Sequence, residues 1–255
     1  MAEAADQRTP GGRGASKQSV AERLELELLS GHPDPGSQLE SERVLAGRFG
    51  VSRPMIREVL RGLQERGLIE IHPGRGAFVR DVRVTDAVRP LDTLYRQHRP
   101  TPRDLIQARV TLERETASLA ALNATEADIE ALQECLDRFD RAKDLLAKAR
   151  ADIAFHAAVA RASRNPVIEL MFGSITTLTF ELMLRSLGDP LVSREGVPYH
   201  QQILDAIRAA DPETSRAAMI GHLNVALENY GDDLDESLDL VTQRRIEQLL
   251  DLPAE

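Results

Sequence analysis

The chain has 255 residues, 42% hydrophobic and 29% charged, more than one small core organises, so two domains are expected. No apolar run reaches the roughly 18 residues of a membrane span, and a single cysteine, Cys135, excludes an internal disulfide and a cysteine-built metal site. The net charge of -9 argues against a nucleic-acid partner until it is divided: residues 1–80 hold 12 basic and 11 acidic side chains, and residues 41–80 hold eight arginines against four acids. Arginine's planar fork suits phosphate and guanine, so its concentration in one short segment points to a local partner.

Residues 1–17 are polar and Gly-rich, lack an apolar signal core and read as a disordered arm, and a cytoplasmic location is expected. From Ser19 to Gly31, Val20, Leu24 and Leu28 share one helical face. Ser41 caps a short second helix with Val44, Leu45 and Phe49 inward, closed by Gly50. Ser52 caps a third, burying Ile56, Leu60 and Leu63 and stopping at Gly67. Two helices joined by so short a turn have helix-turn-helix geometry. Leu68–Ile71 and Ala77–Arg80 read as strands around the tip His72-Pro73-Gly74-Arg75-Gly76. Residues 18–80 are therefore expected to be a winged helix-turn-helix.

Residues 81–100, punctuated by Pro90 and Pro100, are assigned to a linker with room for one short helix. Everything beyond has helical periodicity, over 102–121, 125–147, 149–163, 166–187, 198–210, 212–230 and 235–251. Thr101-Pro102-Arg103-Asp104 and Thr125-Glu126-Ala127-Asp128 are helix starts, and Asp211-Pro212-Glu213 opens another. The fold class is mainly α: the winged domain, then an all-α bundle over 101–232 and a C-terminal helix or tail over 233–255.

On the third helix Arg53 and Arg57 lie four apart with Ser52 and Arg61 beside them, a face that fits the major groove. A solvated basic face pairing internally with Glu58 and Glu65 is the competing reading, and Arg75 between two glycines at the wing tip favours DNA. The run Pro35-Gly36, Leu39, Ser41-Glu42-Arg43, Leu45-Ala46, Phe49 to Arg53, Ile56 to Leu60, Leu63, Gly67 to Ile69 and Gly74 to Val79 resembles the DNA-binding domain of GntR-family transcription regulators. Where that family usually has Pro-Ser-Glu-Arg, this chain has Glu40-Ser41-Glu42-Arg43. The resemblance implies DNA contacts from Arg43, Arg53, Arg57, Gly74 and Arg75, to which the face analysis adds Ser52.

In the second domain, polar residues occupy apolar stripes. Asp152 and His156 are four apart on one face, His200 opens the stripe Ile203, Leu204, Ile207, and His222 shares a face with Met219, Val225 and Ala226. A lone histidine there is usually a satisfied core residue. Three with an aspartate ask for a shared partner, and one metal ion satisfies all of them. The donors suit a divalent ion, Zn²⁺ first and Ni²⁺, Fe²⁺ or Mn²⁺ besides. Arg109, inward with Leu105, Ile106 and Leu112, is either paired with Glu113 or a clamp for a ligand carboxylate.

This order of motifs, from Arg109 and Glu113 through Asp152, His156 and Asn165 to His200 and His222, resembles the effector domain of the FadR subfamily of GntR regulators. The resemblance implies metal ligation by Asp152, His156, His200 and His222 and a small carboxylate effector. Asn165, before Pro166, is left out of the site as a helix C-terminus. The expectation is a non-enzymatic, effector-responsive repressor that binds a palindromic double-stranded operator as a homodimer. The alternatives are a metal-dependent enzyme fused to a DNA-binding module and a DNA binder with a structural metal.

Overall fold

A computed structural model describes residues 16–81 and 84–250. The chain divides into two compact units at Arg83/Val84, and all but the last two residues of the expected arm lie outside the described residues.

In the first unit α1 (Lys17–Leu29), α2 (Glu42–Phe49) and α3 (Arg53–Glu65) are capped by Ser16, Ser41 and Ser52, whose hydroxyls accept from backbone N–H groups three residues on. Gly50, in the left-handed conformation, ends α2 so that Ser52 can open α3. Val20, Leu24, Leu45, Phe49, Ile56, Val59, Leu60 and Leu63 form one core. Val44 is an exception to the expected inward face: it is exposed, because Leu45 and Phe49 take the inward i, i+4 positions and Val44 lies a hundred degrees away. The hairpin pairs β1 (Ile69–His72) antiparallel with β2 (Gly76–Val79), in the register Ile69 to Val79 and His72 to Gly76. Gln38 bridges to Phe78 beyond the hairpin, and its amide donates to the Arg75 carbonyl.

The second unit opens with α4 (Val84–Gln97), a full helix where a linker with one short helix is expected. The Arg96 guanidinium holds its end, binding Asp92 one turn back and, non-locally, Glu181 and Asp239. Next come α5 (Pro102–Asn123), α6 (Glu126–Arg141) and α7 (Leu145–Ala162), the first two opened by capping boxes at Thr101/Asp104 and Thr125/Asp128. The expected helix over 166–187 is two, α8 (Pro166–Ser174) and α9 (Thr176–Leu187), bent by 61° at Ile175. Then follow α10 (Pro190–Gly196), α11 (Pro198–Arg208), α12 (Pro212–Asn229), a 3₁₀ turn over Gly231–Asp235 and α13 (Leu238–Leu250), which packs on α9.

Asn165 corrects the sequence reading. The left-handed residue is Arg164, and Asn165 is the N-cap of α8, accepting from the Val167 and Ile168 N–H groups. The bundle centres on α5, α7, α11 and α12, where Ala117, Ala120, Leu132, Phe155, Ile203 and Met219 are buried together with Cys135. The alanines of α5 let α12 approach closely, and the buried Ser215 hydroxyl donates to the Ala117 carbonyl at 2.9 Å. Among the described residues no single helix is long and apolar enough to cross a membrane.

Candidate functional site

The helix-turn-helix presents its arginines outward. Arg43 is exposed on α2, and Arg53 and Arg57 expose 61% and 65% of their side chains on the first turns of α3. Of the competing internal pairing the structure shows one contact, Arg61 Nη1 to Glu58 Oε1 at 3.7 Å, whereas Arg53 and Arg57 pair with neither Glu58 nor Glu65. Arg57 Nε and Nη2 donate to the two carboxylate oxygens of Glu42 at 3.0 and 2.8 Å, and Arg53 Nη2 lies 3.8 Å from the same group. Ser52 is exposed beside them, its hydroxyl accepting from the Met55 N–H at 3.4 Å. At the wing tip Gly74 has φ +73°, and a Cβ there would meet open space, so the positive φ rather than crowding calls for glycine. Arg75 is exposed and lies over the Phe78 ring at 5.5 Å.

In the bundle, α7, α11 and α12 bring Asp152, His156, His200 and His222 together. Asp152 Oδ1 lies 3.5 Å from His156 Nε2, and Asp152 Oδ2 lies 3.4 Å from His200 Nε2. His156 Nε2 and His222 Nε2 are 3.2 Å apart, and ligand nitrogens of the three histidines lie within 4.8 Å of one another. All of these side chains are buried except His222, whose residual exposure is to the pocket it lines.

The outer nitrogens assign the tautomers. His156 Nδ1 lies 2.5 Å from a Glu113 oxygen, and His222 Nδ1 lies 3.1 Å from the Gly196 carbonyl, so each Nδ1 carries the hydrogen and donates it. The two Nε2 atoms, 3.2 Å apart, then face each other and share one hydrogen or one cation. Burial first, and then the neighbouring imidazoles, push His200 and His222 well below the ordinary histidine range, which leaves them neutral, the form that ligates a metal. His200 Nε2 and Asp152 Oδ1 are buried without a hydrogen-bond partner. Two nitrogens each about 2.0–2.1 Å from one ion at a tetrahedral angle stand about 3.3 Å apart, close to the His156–His222 separation. The four side chains therefore fit a divalent ion.

The sequence leaves Arg109 open between two roles. The structure pairs it with Glu113, Nε to Oε1 at 2.6 Å and Nη2 to Oε2 at 3.4 Å, with both side chains buried. Burial raises the Glu113 carboxyl, but Arg109 and His156 outweigh it and hold it down at about 2. Glu113 thus serves two neighbours, neutralising Arg109 and fixing the His156 ring. Arg109 Nη1 has no partner among the described residues, and Arg109 also lines a small cavity of about 30 Å³ together with Asp152, His200, His222, Leu182, Met183 and Val192. The sequence identifies Glu113 only as a partner for Arg109. Its hold on His156 crosses 43 residues and has no local signature.

Comparison with known proteins identifies both units. Residues 16–79 match the bacterial regulatory proteins of the gntR family, and residues 104–225 match the FCD domain. The chain belongs to the GntR family. It is 32% identical over 202 residues to the HTH-type transcriptional regulator LutR of Bacillus subtilis, covering 77% of this chain and 92% of that one. It is 31% identical over 223 residues to the Glc operon transcriptional activator of Escherichia coli K12, covering 84% and 88%. A Streptococcus agalactiae GntR structure has the same fold, with a TM-score of 0.66 at 23% identity over 84% of this chain and 99% of that one. As a GntR-family member the chain is a DNA-binding transcription regulator and not an enzyme. Its winged helix-turn-helix and all-α second unit agree with the fold class expected from the sequence.

Proposed function

We propose that this GntR-family member is a homodimeric repressor whose FCD unit binds a small carboxylate through a divalent metal ion. Asp152, His156, His200 and His222 would hold the ion, Zn²⁺ first by donor chemistry, and Arg109, neutralised by Glu113, would offer its Nη1 hydrogens to the effector carboxylate in the same pocket. When bound, the ion supplies a Lewis-acid point for the oxygens of the effector. The observation that carries this reading is the pair of Nε2 atoms 3.2 Å apart beside His200 Nε2 and Asp152 Oδ1, which are buried without a hydrogen-bond partner among the described residues. The adjoining cavity, small in this state, supports an effector-binding ion over a structural one because Arg109 lines it together with Asp152, His200 and His222.

On the DNA side, Arg43, Ser52, Arg53, Arg57, Gly74 and Arg75 form the reading surface, and two copies would read the halves of a palindrome. Effector binding would favour a state with lower operator affinity, by as much as the effector's own affinities for the two states differ.

The test is thermal unfolding of metal-stripped and metal-loaded protein against hydroxy acids, sugar acids and dicarboxylates. A ligand at about 100 times its dissociation constant stabilises the native state by about 2.7 kcal/mol. A shift that requires metal supports the proposal. Metal-independent shifts, or none with any acid despite bound metal, remove the effector from the ion.

A further inference from the structure

The DNA-facing surface of the first unit carries a carboxylate among its arginines. Glu42 is the first residue of α2, where the helix dipole favours an anion, and hydrogen bonds from Arg57 hold it below the ordinary glutamate range. It joins the two helices of the motif by touching both Arg57 and Arg53 on α3. Exposed ion pairs contribute little to stability, so fold maintenance is a weak reason for this one.

Its geometry gives a better reason. A guanidinium has two edges able to form paired hydrogen bonds, and Arg57 spends the Nε–Nη2 edge on Glu42. No partner is found for Nη1 among the described residues, so the Nη1–Nη2 edge is left, with the donor spacing that matches guanine O6 and N7. A side chain braced in this way loses its rotamer freedom before DNA arrives rather than on binding. The carboxylate also cancels one of the two positive charges of Arg53 and Arg57, which reduces attraction to phosphates of any sequence and leaves base hydrogen bonds available.

We propose that Glu42 is a specificity-determining positioning residue: it sets the free edge of Arg57 for a guanine and restrains Arg53 and Arg57 from indiscriminate phosphate contact. This rests on the assignment of α3 as the DNA-reading helix.

The experiment uses the full chain and two probes, the duplex that the wild-type protein enriches from a random-sequence pool and a duplex of scrambled sequence. Glu42→Gln keeps the size of the side chain and removes its charge. The ratio of affinities for the enriched and scrambled duplexes is expected to fall about tenfold. Binding to the scrambled duplex should tighten, with a salt dependence steeper by about one unit of log K per log salt. In an Arg57→Ala background the same substitution should change the ratio by less than about twofold, because its effect passes through Arg57.

Equal tightening on both duplexes would make Glu42 a plain competitor and overturn the proposal. An unchanged ratio, or a full tenfold loss that persists without Arg57, overturns it as well. A wild-type protein that enriches no sequence overturns the assignment of α3 itself, and the proposal with it.

Discussion

Each unit of this regulator joins an arginine to a glutamate in a two-point contact, and the settings of the two pairs are opposite. In the helix-turn-helix, Arg57 and Glu42 keep 65% and 29% of their side-chain exposure. In the bundle, Arg109 and Glu113 keep 1% and 3%. Water screens the first pair, which adds little to the stability of the fold and leaves the second edge of Arg57 open to a nucleic acid. The second pair is not screened: separating buried charges leaves one of them uncompensated, so it serves as fixed support. One side-chain pairing thus yields a solvated brace on a DNA-reading surface and a rigid strut behind the proposed metal site, and burial makes the difference.

The sharpest way to break this contrast is Arg109→Ala. It leaves the Glu113 carboxylate buried beside His156 without its main neutralising charge, and a loss of about 3–5 kcal/mol in urea unfolding is expected. A loss below about 1 kcal/mol would show that Glu113 is relieved by water or protonation and that the strut is not rigid.

Glu113→Gln comes next in size. The amide retains an acceptor for Arg109 or for His156 but no longer holds both, so the His156 tautomer and ring orientation are less firmly set. Removing such an outer partner typically costs about 10–100-fold in metal affinity. Competition with a chromophoric chelator measures it, and His200→Ala, which removes a ligand outright, sets the lower bound. Operator affinity of the metal-free Glu113→Gln protein should match that of metal-free wild type. Retention of stoichiometric metal by His200→Ala would remove His200 from the site.

The difference between the pairs also explains what was legible in the sequence. Helix starts were, because capping is local: Ser41, Ser52, Thr101 and Thr125 each act within three residues. So was the convergence of Asp152, His156, His200 and His222, since they interrupt apolar stripes whose period is visible. Residues that act across the chain were not. Glu113 looks like a helical i, i+4 partner of Arg109, and nothing nearby announces its bond to His156. Glu42 looks like an ordinary first-turn acid, and its contact with Arg57 depends on how α2 meets α3. Helix α4 was read as linker because Pro90 interrupts it, while what secures its end, the cluster of Arg96 with Glu181 and Asp239, comes from α9 and α13.

Arg53→Ala sharpens the reading-surface side. Arg53 is exposed and only 3.8 Å from Glu42, less firmly tethered than Arg57. Its loss should weaken binding to the enriched duplex by about tenfold and relax preference at one base pair, with a smaller effect on scrambled DNA. Equal loss on both duplexes would reassign Arg53 to phosphate. Arg75→Ala should act mainly through the wing, with little change in preference at that base pair.

The smallest expected effect tests the contrast most directly. Arg57→Ala removes one partner of an exposed pair, and Glu42 can then rehydrate or turn to Arg53. Its urea midpoint should stay within measurement scatter of wild type, and whatever difference is seen at low salt should fade as salt is raised past the point where the Debye length is about 3 Å, near 1 M. Arg109→Ala, by contrast, should keep its whole loss across that salt range, because ions do not reach a pair this deeply buried. Matching salt dependence in the two variants would mean that water reaches both pairs, and burial would no longer separate the brace on the DNA-reading surface from the strut that holds His156.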